Sequence, residues 1–391
     1  VDPRPRIYLD HAATTPVDPD VVSLMLPFLT ERFGNPSSVY EIGRDARIAL
    51  DWARDTAGTL LGCAPQEIIF TSGATESNNL AIKGVAWWHH FNHPGRRRIV
   101  VSAIEHHAVL HSAEAMERHG FEVVLAMPDA DGIVQPETIR PLITSDTCLV
   151  SVMLANNEIG TIQPIREIAD IAHAAGAIMH TDAVQAIGAL PVVPDELGVD
   201  LMSITAHKFY GPKGIGLLYC RVGTPIDWLQ HGGGQENTRR AGTENVAGIV
   251  GCVAAMQFAI DEMDERTAHS RRLRDRLIEA ILERAPNAQL NGHPTLRLPS
   301  NANLAFPGVD GPALLLALDM AGIAASSGSA CTTGSTEPSH VLTALGIEPE
   351  RANGSIRLTV GKDTTDHDVD VAVREIVTAV ERIQGLAAVR S

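Results

Sequence analysis

The stretch VDLMSITAHKFYGPKGIGLLYC, Val199–Cys220, holds two short apolar runs around a polar centre that contains Lys208. VDLMSIT and GIGLLYC lack the apolar–polar alternation of a strand with one wet face, so both read as strands buried on two sides. Five more runs of this kind lie upstream: EIIF, RRIVVSA, FEVVLAM, CLVSVMLA and AIMHT, with helical patterns between them from about residue 45 to 260. Such alternation predicts an α/β fold, a mainly parallel seven-stranded sheet flanked by helices.

The polar residues follow the strands. TSGATESNN comes after EIIF, IEHHAVL after RRIVVSA, NNEIG after LVSVMLA, DAVQ after AIMHT and AHKFYGPKG after LMSIT. Polar groups just past so many carboxyl ends describe one shared crevice, where open α/β sheets bind ligands. Gly73, Ala74 and Thr75 lie between a strand and a helix start, where free N–H groups suit a phosphate. The same residues also serve as an ordinary N-cap, and the P-loop spacing is missing. Lys208 alone reads as an ion-paired or surface lysine. Beside a phosphate cradle and Asp182, it reads as the Schiff-base lysine of a pyridoxal phosphate site, with Asp182 as the acid for the pyridine nitrogen.

His106 could stack on such a ring and exchange protons. EHH has no metal-ligand partner at helical spacing, so no metal site is expected, and His107 reads as structural. Arg357, in GSIRLTV, offers either a salt bridge or a guanidinium fork for an amino-acid carboxylate. Cys331 lies in SSGSACTTGS, among small residues with little to pack against, unlike a buried structural cysteine. Either it is an incidental surface thiol or it has to meet something.

The chain has 391 residues, too many for one compact core, so two domains are expected. Residues 16–261 form a large α/β domain in this reading. Residues 1–15 and 262–391 form a smaller α+β domain that carries the cysteine loop, 326–336. HSRRLRDRLIEAILERAP puts Leu273, Leu277, Ile278, Ile281 and Leu282 on one helical face. TTDHDVDVAVREIVTAVERI opens with a capping box from Thr365 to Asp368. Net charge is −16, from 31 basic and 47 acidic residues. That disfavours direct nucleic-acid binding and anionic membranes, with Arg96–Arg98 as a local basic run. The five cysteines are widely spaced and contain no C-x-x-C, which points away from disulfides and zinc and toward a reducing cytoplasm. The start, VDPRPRIYLDHAATT, has no signal-peptide core. NVAGIVGCVAAMQFAI falls short of the ~18 residues of a membrane helix.

YLDHAATTPVDP, GNPSS, TSGATESNNLAIKG, EHHAVL, NNEIGTIQPI, DAVQAIG, AHKFYGPKGIG, HGGGQE, RAGTEN and SSGSACT with EPSHVL form a set that is specific only when taken together. Over essentially its whole length the chain resembles the group I, NifS/IscS-type cysteine desulfurases of the class V aminotransferase superfamily, with pyridoxal phosphate fold type I. The resemblance implies that Lys208 carries pyridoxal 5'-phosphate, Asp182 pairs with its ring nitrogen and His106 stacks on the ring. Gln185 and Asn157 would approach the ring oxygen side, and Ala74, Thr75, Thr205 and His207 match phosphate contacts. Thr243 matches a phosphate contact from the partner subunit, which implies a homodimer. Asn35 and Arg357 match the positions that hold the substrate carboxylate. L-Cysteine would become L-alanine, its sulfur passing to Cys331 as a persulfide. A protein acceptor follows: an iron–sulfur scaffold, a tRNA-thiolation carrier or DNA phosphorothioation machinery. Rival readings are a class V aminotransferase or selenocysteine lyase without a covalent cysteine, and a partner-binding scaffold without activity.

Overall fold

The structure, a computed structural model, describes residues 6–327 and 338–388. All seven apolar runs are strands of one sheet: β1 (Ile68–Thr71), β2 (Arg98–Ser102), β3 (Glu122–Ala126), β4 (Thr147–Ser151), β5 (Ile178–Asp182), β6 (Leu201–Thr205) and β7 (Gly216–Cys220). Their spatial order is β1-β7-β6-β5-β4-β2-β3. Neighbouring strands are parallel except around β7, which runs antiparallel to β1 and β6. Every residue of β4, β6 and β7 is buried, which accounts for the lack of apolar–polar alternation along them. At the edge, β3 exposes Glu122 and Leu125.

Helices cover both faces. Four matter for the site or the core beneath it: α1 (Ala74–Asn92), α2 (His107–Glu117), α3 (Val246–Asp261) and α4 (Met263–Arg284). The apolar run of α3 is core: Ile249, Cys252, Val253 and Met256 all pack under the sheet. No single helix among the described residues is long and apolar enough to cross a bilayer. The three arginines of the basic run are engaged within the chain. Arg96 donates to the carbonyls of Thr147, Ala175 and Gly176, Arg97 to those of Pro94 and His119, and Arg98 pairs with Glu122.

A second apolar cluster lies in the C-terminal part. An antiparallel sheet of β8 (Gln289–Leu290), β9 (Asn301–Ala305) and β10 (Ser355–Thr359), with β9 in the middle, packs on α4 and on α5 (Asp366–Ala388). Leu273, Leu277, Ile278 and Ile281 of α4 are buried there as expected, but Leu282 is 41% exposed. One residue beyond Ile281 is a further 100° around the helix, past the edge of the buried stripe. The capping box of α5 is reciprocal: Thr365 N donates to Asp368 Oδ2 at 2.8 Å and Asp368 N to Thr365 Oγ1 at 3.1 Å. Val341, Leu342 and Ala352, expected with the smaller unit, pack instead on Ile104, Met153 and Ile159 beside the main sheet.

The N-terminal segment straps the two cores together. Ile7–Tyr8 pairs with Ile323–Ala324, and Leu9 is buried in the second cluster. Thr359 N then donates to Leu9 O at 2.7 Å, Ala12 N donates to Thr359 Oγ1 at 2.9 Å, and Thr15 N reaches His207 O at 2.9 Å. The strap therefore crosses from β10 to the lysine turn after β6.

Candidate active site

A cavity of about 550 Å³ opens outside the carboxyl ends of the parallel strands, the place this topology leaves for a ligand. It is built first by the turn from β1 into α1. Gly73 is the N-cap, at φ 147°, and no side chain caps the helix there. Ser72 N instead donates to Glu76 Oε2 at 2.7 Å, and Arg240 grips that carboxylate with bonds of 2.8 and 3.1 Å. Gly216 lies directly against the turn: a Cβ there would stand 2.8 Å from Gly73 Cα and 2.5 Å from Ile204 O. The first residues of α1, Ala74 and Thr75, line the cavity. Gly73 acts as the N-cap without side-chain help, so the helix start presents its N–H groups and positive dipole end to the cavity.

Asp182 ends β5 and is 5% exposed. Its carboxylate accepts from Asn78 Nδ2 at 2.7 Å and from Val184 N at 3.0 Å, which fixes its orientation. Asn78 Oδ1 is buried and has no hydrogen-bond partner among the described residues. Lys208 closes the short turn after β6, and its Nζ donates to Ala12 O at 2.6 Å and Ala13 O at 2.8 Å. Gln185 Nε2 donates to the same Ala12 O at 3.0 Å. Thr205 and His207 flank Lys208; Thr205 Oγ1 donates to Ile215 O at 3.2 Å, and His207 Nδ1 lies 3.1 Å from Thr14 Oγ1. Burial, with the nearby Lys208 and Lys213 charges, pushes the His207 pKa down to about 4, so this ring is neutral.

His106 is the N-cap of α2, and its Nδ1 accepts from Ala108 N at 3.0 Å. Nδ1 is therefore unprotonated and the ring proton sits on Nε2. Burial pulls the His106 pKa down, which keeps that neutral tautomer. Arg357, at the centre of β10, is 2% exposed and still lines the cavity. Its Nη1 donates to Asn157 O at 3.1 Å and its Nη2 to Asp10 Oδ1 at 2.7 Å. Asn157 lines the cavity as well.

One expected residue is not brought there, and a second is expected at the partner subunit's site. Asn35 is exposed, and its Oδ1 accepts from Ser37 N at 2.9 Å, a local turn that directs the side chain back on its own loop. Thr243 is also exposed, and neither residue lines this chain's cavity. Cys331 lies outside the described residues. The chain on either side of it is anchored at the site. Ser326 exchanges backbone hydrogen bonds with Arg357 at 3.2 and 2.6 Å; Ser339 Oγ donates to Glu158 Oε2 at 2.5 Å, and His340 Nε2 to Glu105 O at 2.9 Å. The described cysteines are all free thiols, and burial pushes Cys63, Cys148 and Cys252 up to about 12 and Cys220 to about 11. Thiols held that high are poor nucleophiles at neutral pH.

Sequence reasoning did not single out Asp10, Asn78, Glu105 or Glu158. Glu105 and Glu158 are fully enclosed, and burial raises both carboxyl pKa values, that of Glu105 to about 8. Their only sequence signal was membership in the polar stretches after β2 and β4.

The residues present suit pyridoxal phosphate. An uncapped helix start meets a phosphate, an oriented buried carboxylate meets the pyridine nitrogen, and a lysine amine meets the aldehyde. The orphaned Asn78 Oδ1 beside Asp182 marks a polar atom whose partner comes from outside the chain. Fold and site together define a pyridoxal phosphate enzyme of fold type I. Comparison with known proteins narrows this. Residues 7–371 match the model of the aminotransferase class-V family. Cysteine desulfurase IscS of Methanosarcina thermophila is 50% identical over 381 residues, covering 97% of this chain and 93% of that protein. The IscS-like cysteine desulfurase of Mycobacterium tuberculosis is 45% identical over 384 residues, covering 97% and 98%. Among solved structures, a NifS-like protein superposes with a TM-score of 0.90 at 38% identity, covering 97% of this chain and all of that one. DndA from Streptomyces lividans gives 0.76 at 37%, covering 90% and 99%. The chain belongs to the class-V aminotransferase family, among its IscS-type cysteine desulfurases, and depends on pyridoxal phosphate.

Proposed function

We propose that this cysteine desulfurase uses Lys208, His106 and Cys331 as its reacting groups. Bound in the cavity, pyridoxal phosphate supplies an electron sink for charge developing at the substrate Cα. Ala74, Thr75, Thr205 and His207 would hold the phosphate, Asp182 would keep the ring nitrogen protonated, and Gln185 and Asn157 would serve the ring oxygen side. His106 would meet the ring with its proton at Nε2. Arg357 binds the carboxylate of L-cysteine. The Lys208 amine takes the Cα proton and later returns one. The Cys331 thiolate attacks the substrate sulfur: an S–S bond forms as the C–S bond breaks, and the bonding pair goes to the substrate carbon side, which is protonated to L-alanine. The persulfide sulfur then passes to a protein acceptor.

The single observation that carries this reading is the convergence of Lys208, Asp182, His106 and the start of α1 on one cavity. The described cysteines, with pKa values at about 11 or 12, leave position 331 for the nucleophile. A homodimer would cover exposed apolar side chains of the stretch from Leu29 to Ile48, among them Leu29 at 62%, Phe33 at 67%, Val39 at 86% and Ile48 at 63% exposed. Thr243, and Asn35 with it, would act across that interface. Free thiols at every described cysteine suit a reducing cytoplasm.

The test is to incubate the cofactor-loaded enzyme with L-cysteine and map added sulfur by peptide mass spectrometry. One extra sulfur atom on Cys331, lost together with sulfide release in Cys331→Ala, is the expected result. L-Alanine formation undiminished in Cys331→Ala would refute the covalent role and favour a lyase or transaminase without it.

A further inference from the structure

Arg357 faces the cavity and already holds a carboxylate from the chain itself. Asp10 Oδ1 lies 2.7 Å from Nη2, and the Asp10 side chain is 18% exposed while that of Arg357 is 2% exposed. Glu158, the other carboxyl near this guanidinium, is enclosed, and its Oε2 accepts from Ser339 Oγ. Among the described residues, the direct ion pair is made by Asp10.

The strap does not need that ion pair to stay in place. Backbone and hydroxyl bonds fix it on both sides of Asp10: Leu9 N to Ala324 O at 2.9 Å, Thr359 N to Leu9 O at 2.7 Å, and Ala12 N to Thr359 Oγ1 at 2.9 Å. Tyr8 Oη donates to Asp10 O at 3.0 Å, and Ala13 N to the same oxygen at 3.0 Å. A buried ion pair is in general a weak source of stability, because desolvation offsets the Coulomb attraction. A buried guanidinium without any anion is worse, and a substrate carboxylate is present only during turnover.

We propose that Asp10 is a resident counter-ion on Arg357, which the carboxylate of substrate and of product must share, and that it thereby sets how tightly amino-acid ligands are held. The inference rests on the reading of Arg357 as the carboxylate-binding residue. A second carboxylate on one guanidinium meets the charge of the first at short range in a poorly screened site. Affinity for L-cysteine is lowered, and release of L-alanine, which carries the same carboxylate, is quickened. The strap couples this end of the ligand to the other, because its Ala12 and Ala13 carbonyls receive the Lys208 amine.

The probe is 3-mercaptopropionate, which has the thiol and carboxylate of the substrate but no amine to react with the cofactor. Its binding to the cofactor-loaded enzyme is measured by calorimetry for wild type, Asp10→Asn, Asp10→Ser and Asp10→Glu, with L-alanine inhibition alongside. Both neutral variants are expected to bind the probe about tenfold more tightly, with a lower KM for L-cysteine and stronger inhibition by L-alanine. Asp10→Glu, which keeps the charge, should tighten binding less than either neutral variant. Unchanged or weaker binding in the neutral variants overturns the proposal, and so does failure of both to fold with cofactor, which would make Asp10 architectural. The amide of the probe separates the two readings. If wild type binds acid and amide equally, the role of Arg357 fails. If it prefers the acid but the neutral variants do not tighten, only the role of Asp10 fails.

Discussion

Glu236→Ala removes both halves of a clasp on the segment that carries Thr243. The Glu236 side chain is 2% exposed; its Oε1 accepts from Arg54 Nη2 at 2.6 Å and its Oε2 from Phe70 N at 2.9 Å. Arg54 is itself only 12% exposed on its side chain and lies over the Phe70 ring at 5.0 Å. Leaving that guanidinium unpaired costs about 3–5 kcal/mol, and an unpaired buried amide at Phe70 costs about 1–3 kcal/mol. The two are not additive, since one carboxylate serves both. Glu236, Asn237 and Thr238 also stand in the left-handed region, at φ 47°, 56° and 68°. Relaxing one of them returns about 1–2 kcal/mol. The net expectation is a loss of about 3 kcal/mol. The assay is the urea midpoint together with amide exchange at Phe70, which should quicken by about 100-fold. A midpoint within about 0.5 kcal/mol of wild type, with Phe70 still protected, would refute the reasoning.

Two further outcomes can be checked directly. His89 is 4% exposed, both its ring nitrogens are buried without partners among the described residues, and burial, helped by Arg96 and His93, pushes its pKa down to about 4. The unfolded chain protonates this histidine near the ordinary 6.5, so its contribution is present above that pH and is lost as pH falls from 6.5 through about 4. His89→Leu should therefore stabilise the protein by about 1–2 kcal/mol more at pH 5 than at pH 7.5, read as urea midpoints at the two pH values. Gly216→Ala would drive a methyl group into the backbone of Gly73 and Ile204 and open the turn before α1. Cofactor titration of the apo chain should show at least about tenfold weaker binding, and an unchanged dissociation constant would mean that this turn does not hold the phosphate.

The fold was readable because each strand of the main sheet announces itself locally. β4, β6 and β7 are buried on both faces, so none of them alternates apolar with polar residues, and the residues that follow the parallel strands fall at one edge. Lys208, Asp182, His106 and Thr75 could be assigned to one site for that reason alone. What depends on distant packing could not be read so. Asp10 meets Arg357 across 347 positions in the chain, and nothing in the spacing of either residue announces the pair. Glu105 and Glu158 look like solvent-facing acids in sequence, yet each is fully enclosed and bonded to groups from other elements. Asn35 keeps its place in the motif but not in its own chain's cavity, because its loop bonds to itself.

The pairing of Ser326 with Arg357 limits where sulfur can be handed on. From Ser327, the last described residue on that side, the Cα four positions along lies within about 14 Å however the backbone turns, and its thiol within about 17 Å. The persulfide proposed at position 331 is thus on a short leash fastened beside Arg357, the proposed carboxylate-binding residue. An acceptor has to present its receiving atom within that radius, so the recipient must dock against the enzyme's doorway and cannot wait for a carrier arm to come out to it.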